Sequence, residues 1–243
     1  MKTLGKLYGI GIGPGDPELM TIKGARFLSE CRMVFVPKSR EERDSVALKI
    51  AGPFLGRDSQ VMELRFPMIT DPKALSAHWD EAAQKIADFL LVGQDCCFLT
   101  LGDPLLYSTY IYLLRHLRKK IPELTAVTVP GVNAFSAAAA LTEFPVGEAK
   151  APVTIIPTAD DLAMVEQALK KGGTLVLMKI GKRLAKILDI LENLGLMEQA
   201  VFVARAGQEG QRIETDLWQL KKEDPEAGYL SIILVHAEGK EKS

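Results

Sequence analysis

The sequence predicts an α/β protein with two domains, and three features of the chain support this fold class. Short apolar runs alternate with segments whose apolar residues recur at helical spacing. The runs are apolar throughout, which favours parallel strands covered by helices on both faces of a sheet. Near the end, two strand-like runs at residues 211–220 and 229–236 follow one another without a helix, which predicts that these two strands are antiparallel. We expect a mainly parallel domain at residues 1–130 and a mixed-sheet domain at residues 131–243.

The elements of the first domain follow from local signals. Asp71 is a typical N-cap and Pro72 suits the first helical position, so the longest helix is predicted to open there. Its apolar residues keep a period near 3.6 until Gly93, which ends it. Pro37 is expected to stop the second strand because it lacks a backbone N–H. The other predictions are strands at residues 6–12, 33–36, 60–64, 96–101 and 126–129 and helices at 21–31, 45–51 and 106–119.

The second domain is predicted to open just after Pro130 and Gly131. An alanine-rich helix at residues 133–141 comes first. Apolar runs then predict further strands, with helices between them and the antiparallel pair at the end. These further strands are expected at residues 153–156, 174–178 and 200–204.

The composition narrows the function classes. The chain has 243 residues, of which 47% are apolar and 25% charged, and its formal net charge is −1. This balance argues against a nucleic-acid-binding protein, which usually carries a basic excess, but leaves room for an anionic small molecule. The first residues lack the apolar core of a signal peptide, and no run reaches the roughly 20 apolar residues that cross a bilayer. We therefore expect a cytoplasmic protein without a membrane segment.

No metal site is predicted. The cysteines Cys31, Cys96 and Cys97 do not have the spacing of a zinc site or a disulfide framework, and they are expected to be small buried side chains. The three histidines have no partner at a ligand spacing, so a structural or surface position is expected for each of them.

The loop at residues 11–19 follows the first predicted strand and contains three glycines and two prolines. At first sight it matches the G-x-G-x-x-G fingerprint of dinucleotide-binding folds, but the third glycine position falls on Pro14 or Asp16. The prolines also remove backbone N–H groups that would bind phosphate. The loop is therefore predicted to be a stiff, tight turn that a ligand or a second domain can approach closely.

Two further loops have the same character, at residues 100–109 and 129–134. In the first, Gly102 and Asp103 end an apolar strand; in the second, a Pro-Gly turn leads into a helix of small residues. Taken singly, each loop also fits an ordinary turn. In the loop at residues 100–109, Asp103 would then be the N-cap of the following helix. Three such loops after three apolar strands favour a ligand site, because glycine leaves backbone N–H and C=O groups open to a bound molecule.

These loops carry a family resemblance. Residues 11–21 read Gly-x-Gly-Pro-Gly-Asp-Pro-Glu-Leu-x-Thr, and Gly102-Asp103-Pro104 and then Pro130-Gly131 follow in the same order as in the tetrapyrrole (corrin/porphyrin) methylase family, which the chain resembles over nearly its whole length. Within that family the chain is most similar to the precorrin-2 C(20)-methyltransferase branch. The segments that carry this finer similarity are residues 36–39, 66–68, 79–83, 102–110 and 229–233.

The resemblance implies a fold, a cofactor and a set of contacts. The fold would be that of a two-domain class III S-adenosylmethionine methyltransferase, usually a homodimer, with the cofactor in the cleft between the domains. S-adenosyl-L-methionine would be the methyl donor and S-adenosyl-L-homocysteine the product. The residues at the family's cofactor-binding positions are Pro14, Gly102, Asp103, Leu106, Asn133, Ala134, Met178, Ala204, Leu230 and Ser231.

The implied reaction moves a methyl group from the donor sulfonium to C(20), a meso carbon, of precorrin-2 or cobalt-factor II during cobalamin biosynthesis. Sulfonium is already activated, so the chemistry needs alignment of the reacting atoms and not a metal ion. The ring then loses a proton, and Asp103 and Tyr107 are the candidate catalytic bases by position. The substrate is an anionic tetrapyrrole, and the expected cations for its carboxylates are Lys38, Arg40, Arg43 and Arg65.

Other functions stay open at this point. Another methylase of the same superfamily could act on a different ring carbon, or on a modified histidine as diphthine synthase does. A non-catalytic S-adenosylmethionine-binding module would bind the donor without turnover. The residues do not decide whether the natural substrate already holds cobalt.

Overall fold

The chain forms two compact units, Met1–Asn133 and Ala134–Ser243. The structure is a computed structural model that describes residues 3–38, 45–66, 71–157, 161–222 and 228–237. Each unit holds one five-stranded sheet with helices packed on it.

The first unit contains a parallel sheet with strand order β3-β2-β4-β1-β5. All of its described strand pairs are parallel, as the uninterrupted apolar runs predicted. Its strands are β1 (Leu7–Gly11), β2 (Met33–Lys38), β3 (Gln60–Arg65), β4 (Cys96–Thr100) and β5 (Ala126–Val129), and its helices are α1 (Ile22–Glu30), α2 (Val46–Ala51), α3 (Pro72–Leu91) and α4 (Thr109–Lys120).

The two faces of this sheet carry separate cores. Phe98 of β4 packs among buried residues of α3 and α4, whereas the next residue, Leu99, packs among residues of α1 and α2. This alternation is the period of two that a strand buried on both faces requires. Each fully buried side chain of this size contributes about 1.5–3 kcal/mol. The sheet is therefore a rigid base for the loops at its carboxyl edge.

The second unit contains a mixed sheet with strand order β6-β7-β10-β8-β9. Only β6 and β7 are parallel, and β10 lies antiparallel between β7 and β8. The mixed sheet is as predicted. Its strands are β6 (Val153–Pro157), β7 (Gly173–Met178), β8 (Ala200–Ala204), β9 (Arg212–Glu214) and β10 (Ser231–Ala237), and its helices are α5 (Ala134–Thr142), α6 (Leu162–Lys171) and α7 (Leu184–Asn193).

Two predicted elements are shorter than expected. The strand predicted at residues 211–220 is limited to β9, and a short 3₁₀ turn at Leu220–Lys222 follows it. The helix predicted from residue 106 begins only at Thr109, because Tyr107 has a φ of 51° and so cannot join a right-handed helix. The side chain at position 107 therefore belongs to the preceding loop.

Pro37 does not end β2, contrary to the prediction. The carbonyl of Lys38 accepts a hydrogen bond from Phe66 N at 2.9 Å, so the backbone polar groups of Lys38 point towards β3. Because these groups alternate in direction along a strand, those of Pro37 point towards β4. Pairing with β4 stops at Phe35, so the missing N–H of Pro37 breaks no ladder bond.

The cysteines Cys31, Cys96 and Cys97 are free thiols in the core of the first unit. Burial raises the pKa of Cys96 to about 12, so this thiol stays protonated at neutral pH.

None of the helices in the described ranges combines the length and apolarity that spanning a membrane demands.

Candidate functional site

The glycine loops of the first unit meet at the carboxyl edge of its sheet. β1 and β4 are neighbours, and their following loops are joined by a bridge between Gly13 and Gly102. Gly102 N donates to Gly13 O at 2.7 Å, and Gly13 N donates to Gly102 O at 3.4 Å. Both glycines have positive φ, 81° and 73°, which explains the residue type at these positions.

The third loop packs against the first two without room for a side chain. A Cβ atom on Gly131 would lie 2.2 Å from the carbonyl oxygen of Gly102 and 2.8 Å from Gly11 Cα. A Cβ on Gly11 would lie 2.6 Å from Gly131 N. The backbones of the three loops are therefore in direct contact, which builds one surface from segments far apart in the sequence.

Asp103 ties the second loop to the third. Its Oδ1 accepts a hydrogen bond from Leu105 N at 2.8 Å, and its Oδ2 accepts one from Gly131 N at 3.1 Å. The reading of Asp103 as a helix N-cap is wrong, since Ser108 occupies the N-cap position of α4 and its hydroxyl donates to the Pro104 carbonyl. The Asp103 carboxylate instead fixes the shape of the glycine surface.

Tyr107 and Leu106 lie in the same loop, between Asp103 and α4. Tyr107 has left-handed backbone geometry and its side chain is 40% exposed, while Leu106 is half-buried. A bulky residue in this conformation is uncommon, and such backbone strain concentrates at binding and catalytic sites. The loop thus carries an exposed tyrosine within a few residues of the Asp103 carboxylate.

Tyr110 anchors the start of α4 under this loop. Its ring packs over Gly9, where a Cβ would lie 2.2 Å from the ring carbon Cζ. Its hydroxyl shares a hydrogen bond of 3.1 Å with Thr128 Oγ1 on β5. Burial raises the pKa of Tyr110, so the phenol stays neutral and structural.

Two buried side-chain oxygens at this edge have no hydrogen-bond partner among the described residues. They are Asn133 Oδ1, just after the Pro-Gly turn, and Thr100 Oγ1, at the end of β4. A buried acceptor without a partner is unfavourable, so it commonly marks a position that a ligand or a water satisfies. The donor groups of S-adenosylmethionine fit this edge, because Asn133 Oδ1 and Thr100 Oγ1 can each accept a hydrogen bond.

Pro14 is buried directly after the Gly13 bridge. The loop then closes through Asp16, whose Oδ1 accepts from Glu18 N at 2.9 Å and caps the 3₁₀ turn Pro17–Leu19. The prolines and this cap make the first loop a stiff turn, and Pro14 lies at the edge where Gly102 and Asp103 also lie.

The second unit brings its own predicted residues to one edge of its sheet. Met178 ends β7, Ala204 ends β8, and Ser231 starts β10, which runs in the opposite direction. The register pairs Ser231 with Ala204 and Ile232 with Met178, and Leu230 O accepts from Arg205 N at 2.9 Å. Ser231 Oγ donates to Gly228 O at 2.7 Å, so its oxygen keeps only acceptor capacity.

The predicted cofactor residues thus form two groups. Pro14, Gly102, Asp103, Leu106 and Asn133 lie at the carboxyl edge of the first sheet, and Met178, Ala204, Leu230 and Ser231 lie at one edge of the second. Ala134 is the first residue of α5 and of the second unit. Each group gathers loops that the sequence separates by many residues.

The structure describes two of the four cations predicted to bind the substrate carboxylates, Lys38 and Arg65. Lys38 Nζ forms an ion pair with Glu63 Oε2 at 2.7 Å, so its charge is already engaged on the surface of β2 and β3. Arg65 ends β3 and is exposed. Arg40 and Arg43 lie outside the described residues, as do the predicted branch segments at Ser39 and residues 67–68.

Sequence reasoning missed two features of these edges. Thr100 carries a polar oxygen at the end of an otherwise apolar strand, and that composition was the available signal. Lys179 and Arg205 have left-handed backbones at strand ends, with φ of 56° and 50°, and no sequence pattern marks non-glycine residues of this kind.

A metal centre has no support in the described ranges, where no three His, Cys, Asp or Glu side chains gather in a way that could hold an ion. His236 stacks on Phe144 with 4.0 Å between ring centroids and shares a 3.1 Å hydrogen bond with Thr174. His116 lies 3.8 Å from Asp80. These two histidines therefore have structural surroundings.

Comparisons with known proteins identify the family of the chain. The model of the Tetrapyrrole (Corrin/Porphyrin) Methylases matches residues 6–220. The chain is 35% identical over 232 residues to the cobalt-precorrin-2 C(20)-methyltransferase of Salmonella typhimurium, with 96% of each chain covered. It is 28% identical over 240 residues to the precorrin-2 C(20)-methyltransferase of Sinorhizobium sp, covering 96% of this chain and 95% of that one.

The fold is also found among solved structures. The uroporphyrin-III C-methyl transferase of Thermus thermophilus, solved with S-adenosylhomocysteine, superposes with a TM-score of 0.65 at 20% identity, covering 96% of this chain and 92% of that one. This likeness confirms the predicted two-domain α/β fold. With the family model spanning most of the sequence and a relative matched over nearly its full length, the chain belongs to the tetrapyrrole (corrin/porphyrin) methylase family.

Proposed function

We propose that this chain is an S-adenosylmethionine-dependent methyltransferase that methylates C(20) of precorrin-2, in its metal-free or cobalt-bearing form, in cobalamin biosynthesis. The observation that carries the proposal is the match over 96% of the chain to a relative with this named activity. The glycine edge of the first unit supports it, because three loops meet there around Asp103 and the buried Asn133 Oδ1 beside them has no partner among the described residues.

S-adenosylmethionine, when bound, supplies a methyl group that is already activated on a sulfonium sulfur. The protein therefore has to align the donor with the receiving carbon, at about 3–3.5 Å, and to keep water away. In our proposal the Asn133 amide binds the donor, and the close-packed Gly102 and Gly131 loops leave room for it at this edge. Met178, Ala204, Leu230 and Ser231 are proposed to contact it from the second unit.

Asp103 and Tyr107 are the proposed groups for the proton that the ring loses after methylation. Asp103 already accepts two backbone hydrogen bonds, which hold its side chain in one place. Tyr107 is exposed on the same loop. We propose that Asp103 mainly orients the site, because each of its two oxygens holds a backbone N–H of the loops.

The decisive experiment is an anaerobic assay with isotope-labelled S-adenosylmethionine, run side by side on metal-free and cobalt-loaded precorrin-2. Mass and NMR analysis should find one added methyl group at C(20). Methylation at another ring carbon would refute the proposed position, and donor binding without turnover would refute the enzyme.

The Asp103→Ala variant tests the site in the same assay. It removes the acceptor of Gly131 N, so methyl transfer or donor binding should be lost. Asp216→Ala is the matched control, since Asp216 also accepts two hydrogen bonds, from Trp218 N at 3.1 Å and Gln219 Nε2 at 3.0 Å, but lies after β9. Wild-type turnover by Asp103→Ala would exclude Asp103 from the site.

A homodimer working in the cytoplasm completes the proposal, and the family resemblance supports both features. Light scattering on the purified chain should give a mass near twice that of the 26.6 kDa monomer. A monomer mass across a wide concentration range would contradict the dimer.

A further inference from the structure

The edge of the second sheet that holds Met178 and Ala204 is rich in cations. The turn after β7 contains Lys179, Lys182 and Arg183, and the loop after β8 contains Arg205 together with one carboxylate, Glu209. Residues 228–230, which precede β10, carry no charge. A second carboxylate, Asp161, lies in the loop after β6 and accepts a hydrogen bond from Met164 N at 3.0 Å. Within the described part of this edge, which excludes residues 158–160 and 223–227, the four cations named here outnumber these two carboxylates.

Lys179 and Arg205 occupy equivalent positions in this edge. Each is the first residue after its strand, and each has a left-handed backbone, with φ of 56° and 50°. Non-glycine residues adopt this region uncommonly, and strained backbone is found preferentially at ligand-binding sites. Two long cationic side chains thus share a strained backbone conformation on neighbouring loops. A turn alone does not require cations at these positions, which indicates a ligand-binding role.

The loops that carry these cations are held in place. In the loop after β8, Gln208 N donates to Arg205 O at 2.9 Å and Gly207 N donates to Gln211 Oε1 at 2.7 Å. A Cβ on Gly210 would lie 3.4 Å from Arg205 Nη1, so the guanidinium rests against Gly210. The turn after β7 is fixed too, since a Cβ on Gly228 would lie 2.0 Å from Gly181 O.

The spacing of the two residues suits a large polyanion. β7 and β8 flank β10, and Lys179 and Arg205 directly follow Met178 and Ala204, which pair with Ile232 and Ser231 of β10. Two strand spacings separate the backbones by about 10 Å. Acetate and propionate groups on the rim of one macrocycle span such a distance, so a single ring can offer a separate carboxylate to each of the two cations.

We propose that Lys179 and Arg205 bind peripheral carboxylates of the tetrapyrrole and so position the ring for methyl transfer. This inference rests on the proposed function and adds cations of the second unit to those predicted in the first. It agrees with the ion pair between Lys38 and Glu63, which engages one of the cations expected in the first unit. Guanidinium suits this role because its donors match a carboxylate in a two-point contact.

The test measures binding of precorrin-2 anaerobically in the presence of S-adenosylhomocysteine, which permits binding without turnover. Arg205→Gln and Lys179→Gln should each raise the dissociation constant for precorrin-2 about tenfold or more, the loss expected for one charge-assisted hydrogen bond. The affinity for S-adenosylhomocysteine, measured by calorimetry, should stay unchanged. Arg205→Lys should recover part of the loss because it restores the charge.

Lys171→Gln is the matched control, since Lys171 is an exposed lysine in the last turn of α6. It should bind precorrin-2 like the wild type. Arg205→Gly separates binding from folding, because glycine adopts positive φ without strain. It should unfold no earlier than the wild type on heating and still bind precorrin-2 weakly.

Wild-type affinity for precorrin-2 in both glutamine variants would overturn the inference. Weaker binding of S-adenosylhomocysteine with unchanged precorrin-2 binding would also overturn it, because the cations would then serve the donor. Failure of the wild-type chain to bind or methylate precorrin-2 would instead refute the proposed function, so the two failures are distinguishable.

Discussion

The contact between the three glycine loops makes a sharp prediction for Gly131→Ala. The new Cβ would lie 2.2 Å from Gly102 O and 2.8 Å from Gly11 Cα, all backbone atoms at the ends of buried strands. Ordinary contacts are at about 3.5 Å, so the third loop would have to move by about 1 Å. Gly131 is not among the glycines with positive φ, so the effect of alanine is steric and not conformational.

The displacement has two energetic consequences. Overpacking of this kind destabilises a fold by about 1–3 kcal/mol. The hydrogen bond from Gly131 N to Asp103 Oδ2, 3.1 Å long, would also be stretched beyond bonding distance, a loss of about 1.5–3 kcal/mol for a charged acceptor. Together these effects should lower Tm by at least about 4 °C for a chain of this size.

The assay combines calorimetric unfolding with binding of S-adenosylhomocysteine. Gly131→Ala should unfold earlier and bind the product at least tenfold more weakly, since about 1.4 kcal/mol corresponds to a factor of ten. Gly52→Ala is the control: a Cβ there has no atom within 4 Å and the backbone is helical, so stability should hold or rise slightly. Wild-type Tm and product affinity in Gly131→Ala would refute the reasoning.

Two further predictions concern buried groups in the first unit. Thr100→Val replaces the hydroxyl that has no partner among the described residues with a methyl of similar shape, so Tm should rise by the equivalent of about 1 kcal/mol; a lower Tm would mean that the hydroxyl is satisfied. Burial raises the pKa of Cys96 from 9.0 to about 12, so above pH 9 the unfolded thiol loses its proton while the folded one keeps it. Stability contributed by the protonated thiol is therefore complete below pH 9 and falls towards pH 12, and the urea midpoint should drop less between about pH 8 and about pH 10 in Cys96→Ala than in the wild type. Equal drops in the two proteins would contradict this assignment.

The sheet register decided which predicted residues share a surface. Met178, Ala204 and Ser231 lie on three different strands, and sequence similarity alone suggested that they act together. Their proximity follows from β10 pairing antiparallel with both β7 and β8. Register is specified when the buried faces of neighbouring strands match, so here it depends on segments that are far apart in the chain.

Two predictions from local residue propensity were wrong because the tertiary structure outweighs that propensity. Residues 106–108 have apolar and helix-compatible composition, yet the left-handed Tyr107 delays α4 to Thr109. Pro37 should have ended β2, but pairing with β4 stops at Phe35, two residues before it. In both places the surrounding structure overrides a propensity worth a kcal/mol or so.

The sequence by itself determined the alternation of strands and helices, the mainly parallel first sheet, and the glycine and proline loops, because burial pattern and backbone freedom are local properties of residue types. Only the tertiary structure decided that Asp103 joins two loops, that Gly11 and Gly131 meet without space for a Cβ, and that Lys179 and Arg205 lie on one sheet edge. These features depend on distances between residues distant in sequence, which packing and strand register set together.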